Sequence, residues 1–406
     1  MRPRLFSRLD YMGKQALNQA GFCGMFWFAY AFGCYQTVYL QEIGFSASQL
    51  GLLNALSSGV GILAVPFWGM VSDKIGSLRK VLVTLLVCGS ALYALTPFIP
   101  AGLPVSPFLL TAFLAGITFF RGAMCPFSEN MLVRSCNELR LNYGMLRGFG
   151  SLCFTAGSLI ISSLLPTVGV KSTFWFAPAL TMFAVMLAMF SREPAANAKK
   201  SADGKAPEKL DVGRLFRSRS YLMFLVFTFF FYLAACSESS FLPYLLREVG
   251  VPSEQFGILL GYRGLLEVPF LLLMVRLSRR FPLRNLIVCS ALLMAVECVG
   301  FGLWTNGLWL MLLFCTFFGL GNGLFIGASL NYIYELAPDG LKATAQTLFS
   351  SVSSVAGILG NLLGGMVLDT IGAKPFYVVI AAAYLLSTVI FVLSFVGKKP
   401  AAAQEN

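Results

Sequence analysis

The chain has no histidine, and only 12% of its 406 residues are charged. Without imidazole a histidine-centred catalytic set is excluded, and with no close cysteine pair either, a zinc site is not expected. The ten cysteines do not fill that gap. Nine of them, Cys34, Cys153 and Cys315 included, fall inside apolar runs, and Cys136 sits in a short loop. They read as small hydrophobes rather than as a disulfide framework or a metal cluster. No Walker loop is present, and no soluble domain that would hold one. No nucleophile–base set is visible, so the chain does not read as an enzyme.

What is present is oil. Hydrophobic residues make up 57% of the chain, with 38 phenylalanines among them. An average soluble domain carries about 25% charged residues, twice the fraction found here. A soluble core of this length has no room for so much apolar surface, so the solvent must be lipid.

Apolar runs long enough to cross a bilayer, about 20 residues each, recur along the sequence. They fall at 16–40, 48–71, 79–99, 106–133, 144–166 and 172–191, then at 220–246, 255–275, 285–305, 308–334, 343–368 and 375–397. All twelve should be helices, because an unpaired backbone group is too costly in hydrocarbon and the runs lack barrel alternation. The first run is too long and too rich in Tyr and Gln for a cleaved signal peptide.

The net charge of +12 has a topological cause rather than a nucleic-acid partner. Of the 30 Lys and Arg residues, 24 fall at the N-terminus, in the even-to-odd loops or at the C-terminus. The positive-inside rule then puts both termini in the cytoplasm. The longest polar stretch, 191–220, is rich in Ala, Lys and Ser and divides the chain nearly in half. The expected organisation is a six-helix bundle at 1–191, a cytoplasmic linker at 192–219 and a second six-helix bundle at 220–406.

The halves repeat. YLQEIGFSASQLGLL (39–53) returns as YLLREVGVPSEQFGILL (244–260), and Val65-Pro66-Phe67 returns as Val268-Pro269-Phe270. Ordered matches at near-constant spacing indicate a duplicated six-helix unit, the plan of one large transporter class.

Between spans two and three stands GMVSDKIGSLRK (69–80). Gly69 would let two helices approach closely, and Gly76 would permit a tight reversal. Asp73 would meet a cation or a facing helix N-terminus and hold the cytoplasmic side shut. With Lys74, Arg79 and Lys80, this stretch resembles the loop signature of the major facilitator superfamily, one residue longer between Gly76 and Arg79. The matching stretch of the second half, 274–285, lacks the Gly and Asp.

Two further stretches resemble the proton-coupled sugar and nucleoside symporters of that superfamily, the lactose permease-like group in particular. PFSENML (126–132) is similar to the fourth helix of the group and YGMLRGFG (143–150) to its fifth. The resemblance puts Glu129 and Arg147 on sugar-binding positions. GYRGLLEVPFLL (261–272) is similar to the eighth helix and puts Glu267 near another substrate glutamate. Two features of the group have no counterpart: span ten has neither its histidine nor its carboxylate, and span nine offers Glu297 where the group has an arginine.

Seven ionisable side chains lie within the spans: Arg121, Glu129, Arg147, Glu238, Arg263, Glu267 and Glu297. Each costs about 2.5–3.5 kcal/mol at a helix centre, so such groups persist where they pair or line water. Glu129 and Arg147 flank one short loop at similar depth, as a pair that opens for substrate or a permanent structural pair. Arg121 lies two turns above Glu129 on about the same face. Arg263 and Glu267, four apart, share a helix face and invite a local salt bridge. Glu238 and Glu297 have no obvious local partner. Tyr35 and Asn331 offer hydroxyl-binding groups, and the repeat places Asn331 near the position equivalent to Glu129.

The reading that follows is an all-α membrane protein of two related six-helix bundles. It would be a secondary transporter importing a small polar solute such as a sugar or nucleoside. With histidine absent, the proton would ride on Glu267 or Glu297. No cofactor is expected, only the proton gradient, and the expected form is a monomer in a bacterial inner membrane. Proton-driven drug efflux is the first alternative, although span five lacks the Gly-Pro-Gly-Gly-type cluster of that class. A receptor that moves nothing is the second.

Overall fold

Alternating apolar runs and polar turns produce helices throughout the computed structural model, which describes residues 2–100, 105–191, 213–338 and 340–395. The first half contains α1 (Arg2–Gly33), α2 (Gln36–Glu42), α3 (Ala47–Ile75), α4 (Leu78–Ala94), α5 (Ser106–Leu139), α6 (Tyr143–Val168) and α7 (Thr173–Phe190). The second contains α8 (Gly213–Arg217), α9 (Arg219–Glu248), α10 (Phe256–Arg280), α11 (Leu283–Leu303), α12 (Leu308–Leu336), α13 (Lys342–Ile371) and α14 (Ala373–Leu393). No strand occurs among the described residues. The linker expected at 192–219 lies outside them up to residue 212, and from 213 the chain is helical.

Helix starts follow local chemistry. Ser46 and Gln49 form a capping box at α3, the Asn142 side chain accepts from the Met145 amide at α6, and Ser77 accepts from Lys80 at α4. Each satisfies backbone donors that the first helical turn leaves free. Gly76 ends α3 in the left-handed region, at φ 70°, where a side chain is strained.

Among the described residues, ten helical segments are long and apolar enough to cross a membrane. The other two expected spans are occupied by α1 and α10. α10 carries Arg263 and Glu267 in its first half and Arg276, Arg279 and Arg280 at its end. The span expected at 16–40 is not one helix: α1 stops at Gly33, and the chain turns through Cys34 and Tyr35 before α2. Tyr35 is fully buried there, its hydroxyl held by the other half of the molecule.

The packing partners recur in the two halves. α1 packs on α6 and α7, as α9 packs on α13 and α14; α3 packs on α5, as α10 packs on α12. Between the halves the large contacts are α3 with α13 and α6 with α10. Both crossings are tight. A Cβ on Gly51 would strike the Asn361 carbonyl, and one on Gly365 would strike the Ala47 carbonyl. Gly69 is different: a Cβ there meets nothing within 4 Å, so the close approach expected at Gly69 is absent. The α3–α13 crossing is tight at the opposite end of α3, which leaves the Gly69 end apart.

Candidate functional site

The halves are sealed at one end, where α1 stops and α3 begins. Both carboxylate oxygens of Asp369, near the end of α13, accept from the first amides of α3, Ala47 at 2.9 Å and Ser48 at 2.8 Å. An anion on exposed N–H groups at a helix start is a favourable charge-dipole contact. The Tyr244 hydroxyl donates to the Phe45 carbonyl at 2.8 Å. The Tyr35 hydroxyl donates to the Glu254 carbonyl at 2.8 Å and accepts from the Gly257 amide at 2.7 Å. Tyr35, read from sequence as a hydroxyl-binding residue, is therefore spent on this seal.

Beyond the seal, a cavity of about 910 Å³ lies between the halves. α3 and α5 line it from one side, at Ser58, Val65 and Pro126, and α9 and α13 from the other, at Tyr232, Cys236 and Ser350. Four serines of α13, Ser350, Ser351, Ser353 and Ser354, face it together. Sequence reasoning missed this wall; the signal was the pair of Ser-Ser steps in LFSSVSSVAG (348–357).

Glu129 and Arg147 meet through the turn between α5 and α6. Arg140 takes the left-handed conformation that ends α5, and Asn142 caps α6 two residues later. The Arg147 Nε lies 3.0 Å from Glu129 Oε1, and the two side chains are 31% and 28% exposed. The Tyr143 hydroxyl donates to Glu129 Oε2 at 2.6 Å. Arg147 donates to Ser151 at 2.9 Å, and its guanidinium lies 4.1 Å from the Trp27 ring centroid. A carboxylate, a guanidinium, a phenol and an indole face thus converge on one half-exposed patch. Tyr143 was legible in principle, four residues before Arg147 and so on its helix face.

Arg121 is turned elsewhere. Its Nη1 donates to Gln36 Oε1 at 3.1 Å, and its guanidinium lies over the Tyr93 ring at 3.7 Å. It lines a separate cavity of about 220 Å³ with Tyr30, Gln36 and Thr118. Asn331 also lies apart, donating to the Gly327 carbonyl of its own helix and lining a cavity with Arg284 and Glu335.

In the second half the expected Arg263–Glu267 salt bridge does not form. Glu267, half-buried on α10, accepts from the Asn322 side-chain amide at 3.1 Å. Arg263 instead points to Glu238 and Glu297, whose Oε1 atoms each lie 2.5 Å from its Nη2. Glu238 and Glu297, which looked partnerless in sequence, therefore share one guanidinium. Three helices, α9, α10 and α11, contribute one residue each, an arrangement local spacing does not disclose. Isolated charges in hydrocarbon are costly enough to make such pairing necessary.

In the 69–80 stretch, Asp73 and Lys74 are exposed at the end of α3. Arg79 donates to the Ser191 carbonyl at 2.8 Å and the Met189 carbonyl at 3.2 Å, tying α4 to the end of α7.

Comparison with known proteins agrees with this architecture. The profile of the MFS_1 like family matches residues 22–379. The chain is 29% identical to the maltose permease of Geobacillus stearothermophilus over 340 residues, 82% of each chain. It is 22% identical to the quinolone resistance protein NorA of Staphylococcus aureus over 360 residues, 88% of this chain and 89% of that one. The crystal structure of the nucleoside transporter NupG superimposes with a TM-score of 0.76 at 15% identity, covering 95% of this chain and all of that one. A chain of apolar helices that matches this profile over most of its length is a membrane transporter, not an enzyme, and it belongs to the MFS_1 like family of the major facilitator superfamily.

Proposed function

We propose that the protein imports a small hydroxyl-rich solute, a sugar in the first instance, together with protons, by alternating access of one central site. The observation that carries this reading is the half-exposed Glu129–Arg147 pair, with the Tyr143 hydroxyl and the Trp27 ring converging on it. A carboxylate and a guanidinium offer acceptors and a planar set of donors, which suit the adjacent hydroxyls of a sugar ring. Trp27 beside Arg147 offers an apolar face for the ring itself. The maltose permease relative supports the sugar class.

The same proposal takes all twelve helices as spans in two bundles, with both termini cytoplasmic and the monomer as the working unit. The recurring packing partners support the two-bundle plan, and the loop arginines and lysines support the orientation. The Asp369 seal is then extracellular and the cavity belongs to the inward-open state. The transported proton belongs to a carboxylate of the second half, Glu267 or Glu297, because Arg keeps its charge and histidine is absent. Arg121 and Asn331 are auxiliary contacts that reach substrate only in another state of the cycle.

Counterflow of radiolabelled sugars, nucleosides and small carboxylates into proteoliposomes tests the substrate class. Sugar-specific exchange is the expected result; exchange of nucleosides or carboxylates alone would replace the sugar reading. NorA similarity favours one second reading, efflux by antiport, which predicts that lipophilic cations rather than sugars drive exchange.

The gate makes its own prediction. Asp369 engages the start of α3, whereas Asp73, at the opposite end of the same helix, is exposed. Asp369→Asn weakens charge-assisted bonds that contribute about 1.5–3 kcal/mol each, so it should shift the protein towards outward-open. Asp73→Asn should shift it the other way, towards inward-open, while slowing turnover. Cys236 faces the cavity, so the rate of its alkylation from the cytoplasmic side, read by mass spectrometry, should fall in the first variant and rise in the second. Unchanged rates in both would remove these roles.

A further inference from the structure

The Glu238–Arg263–Glu297 cluster is sealed. Both carboxylates are fully buried and the arginine is 5% exposed. Two carboxylates on one guanidinium leave an excess negative charge where solvent does not reach. Among the described residues, the groups facing the cluster do not supply the missing cation. They are Cys236 and Ser239 on α9, Cys298 on α11, Cys315 on α12, and Tyr377 and Tyr384 on α14. Phe318 lies under the guanidinium at 4.1 Å.

The oxygens are not equivalent. Glu238 Oε1 faces Arg263, and its Oε2 accepts from the Ser239 hydroxyl at 3.1 Å. Glu297 Oε1 also faces Arg263, but its Oε2 is buried with no N–H or O–H donor, and the Cys315 thiol beside that carboxylate is only a weak donor. A charged carboxylate with one oxygen unsolvated is strongly disfavoured, whereas a neutral acid in the same place is not.

We propose that Glu238, Arg263 and Glu297 form a binding site for one proton, held by the two carboxylates as a pair and sealed from water in this conformation. The proton bonds to a carboxylate oxygen, Glu297 Oε2 in the arrangement seen, and its charge cancels the excess. Because the two acids face the same guanidinium, the proton belongs to the pair and not to one residue. Glu238 is then an equal member of the site. The site rests on the symport reading for its use in transport but not for its existence, which the buried charge count alone requires.

Infrared difference spectroscopy of the purified full-length protein tests it, with glutamate carrying carbon-13 in its carboxyl group and spectra taken in H2O and D2O at neutral pH. The expected result is a protonated glutamate carbonyl band that shifts with the label. Glu238→Gln and Glu297→Gln should each remove that band, since one remaining carboxylate balances Arg263 without a proton, whereas Glu267→Gln should retain it. A wild-type spectrum without a protonated glutamate overturns the proposal, and this measurement needs no variant to fold. A band that survives both Glu238→Gln and Glu297→Gln overturns it as well. A band with the expected pattern in a protein whose uptake moves no protons would sustain the site and sink the symport reading.

Discussion

Arg147→Lys should weaken substrate binding by more than tenfold while the protein stays folded and inserted. Hydrogen bonds to charged groups contribute about 1.5–3 kcal/mol each, so losing one weakens the Kd by about 10- to 150-fold. Lysine keeps the charge but loses the planar fork and the stacking over Trp27. Glu129→Gln should do the same, since it removes the charge that holds both Arg147 and Tyr143. The fold should tolerate either change, because an ion pair this exposed contributes only about 0–1 kcal/mol to stability. A purely structural pair predicts the opposite pattern, lost insertion or aggregation with binding intact in whatever folds. Calorimetric titration of the sugar identified by counterflow decides. A Kd within about threefold of wild type, about 0.65 kcal/mol, would remove Glu129 and Arg147 from the site.

Glu297→Gln should separate accumulation from exchange. A proton entering through a 100 mV potential contributes about 2.3 kcal/mol, enough for about 50-fold accumulation of a neutral solute. Glutamine resembles the protonated acid and cannot release a proton, so uphill uptake should fall to equilibration while counterflow persists. Glu267→Gln should instead lower substrate affinity, because Glu267 is only half-buried and holds the Asn322 side-chain amide rather than a buried cation. If Glu267→Gln abolishes accumulation with affinity intact, the coupling proton sits on Glu267. If both variants accumulate substrate as wild type does, neither carboxylate carries it.

Arg263 shows where sequence reasoning reaches its limit. Its spacing to Glu267, four residues on one helix, suggested a salt bridge, and that pair does not form. The partners it takes lie 25 and 34 residues away, on the two flanking helices. Helix packing decides this choice, and a single sequence does not encode which faces meet. Glu129 and Arg147 were easier to place because one short turn joins their helices, so similar depth already implied contact. Helix positions were legible because lipid imposes long apolar runs, whereas the break at Cys34 and Tyr35 was not. That break depends on the Glu254 carbonyl and the Gly257 amide, more than 200 residues away. Gly69 failed for a related reason: its neighbours depend on which end of the α3–α13 crossing is shut. The serine wall of α13 looked like ordinary small residues until the opposite half gave it a cavity to face.

The central claim is that substrate and proton enter together. Proteoliposomes in a weakly buffered medium, with a pH electrode outside, test it when the transported sugar is added without any imposed gradient. The account predicts transient alkalinisation of the medium, absent from empty liposomes and abolished by a protonophore. Sugar uptake with no change in external pH, or with acidification, would contradict it.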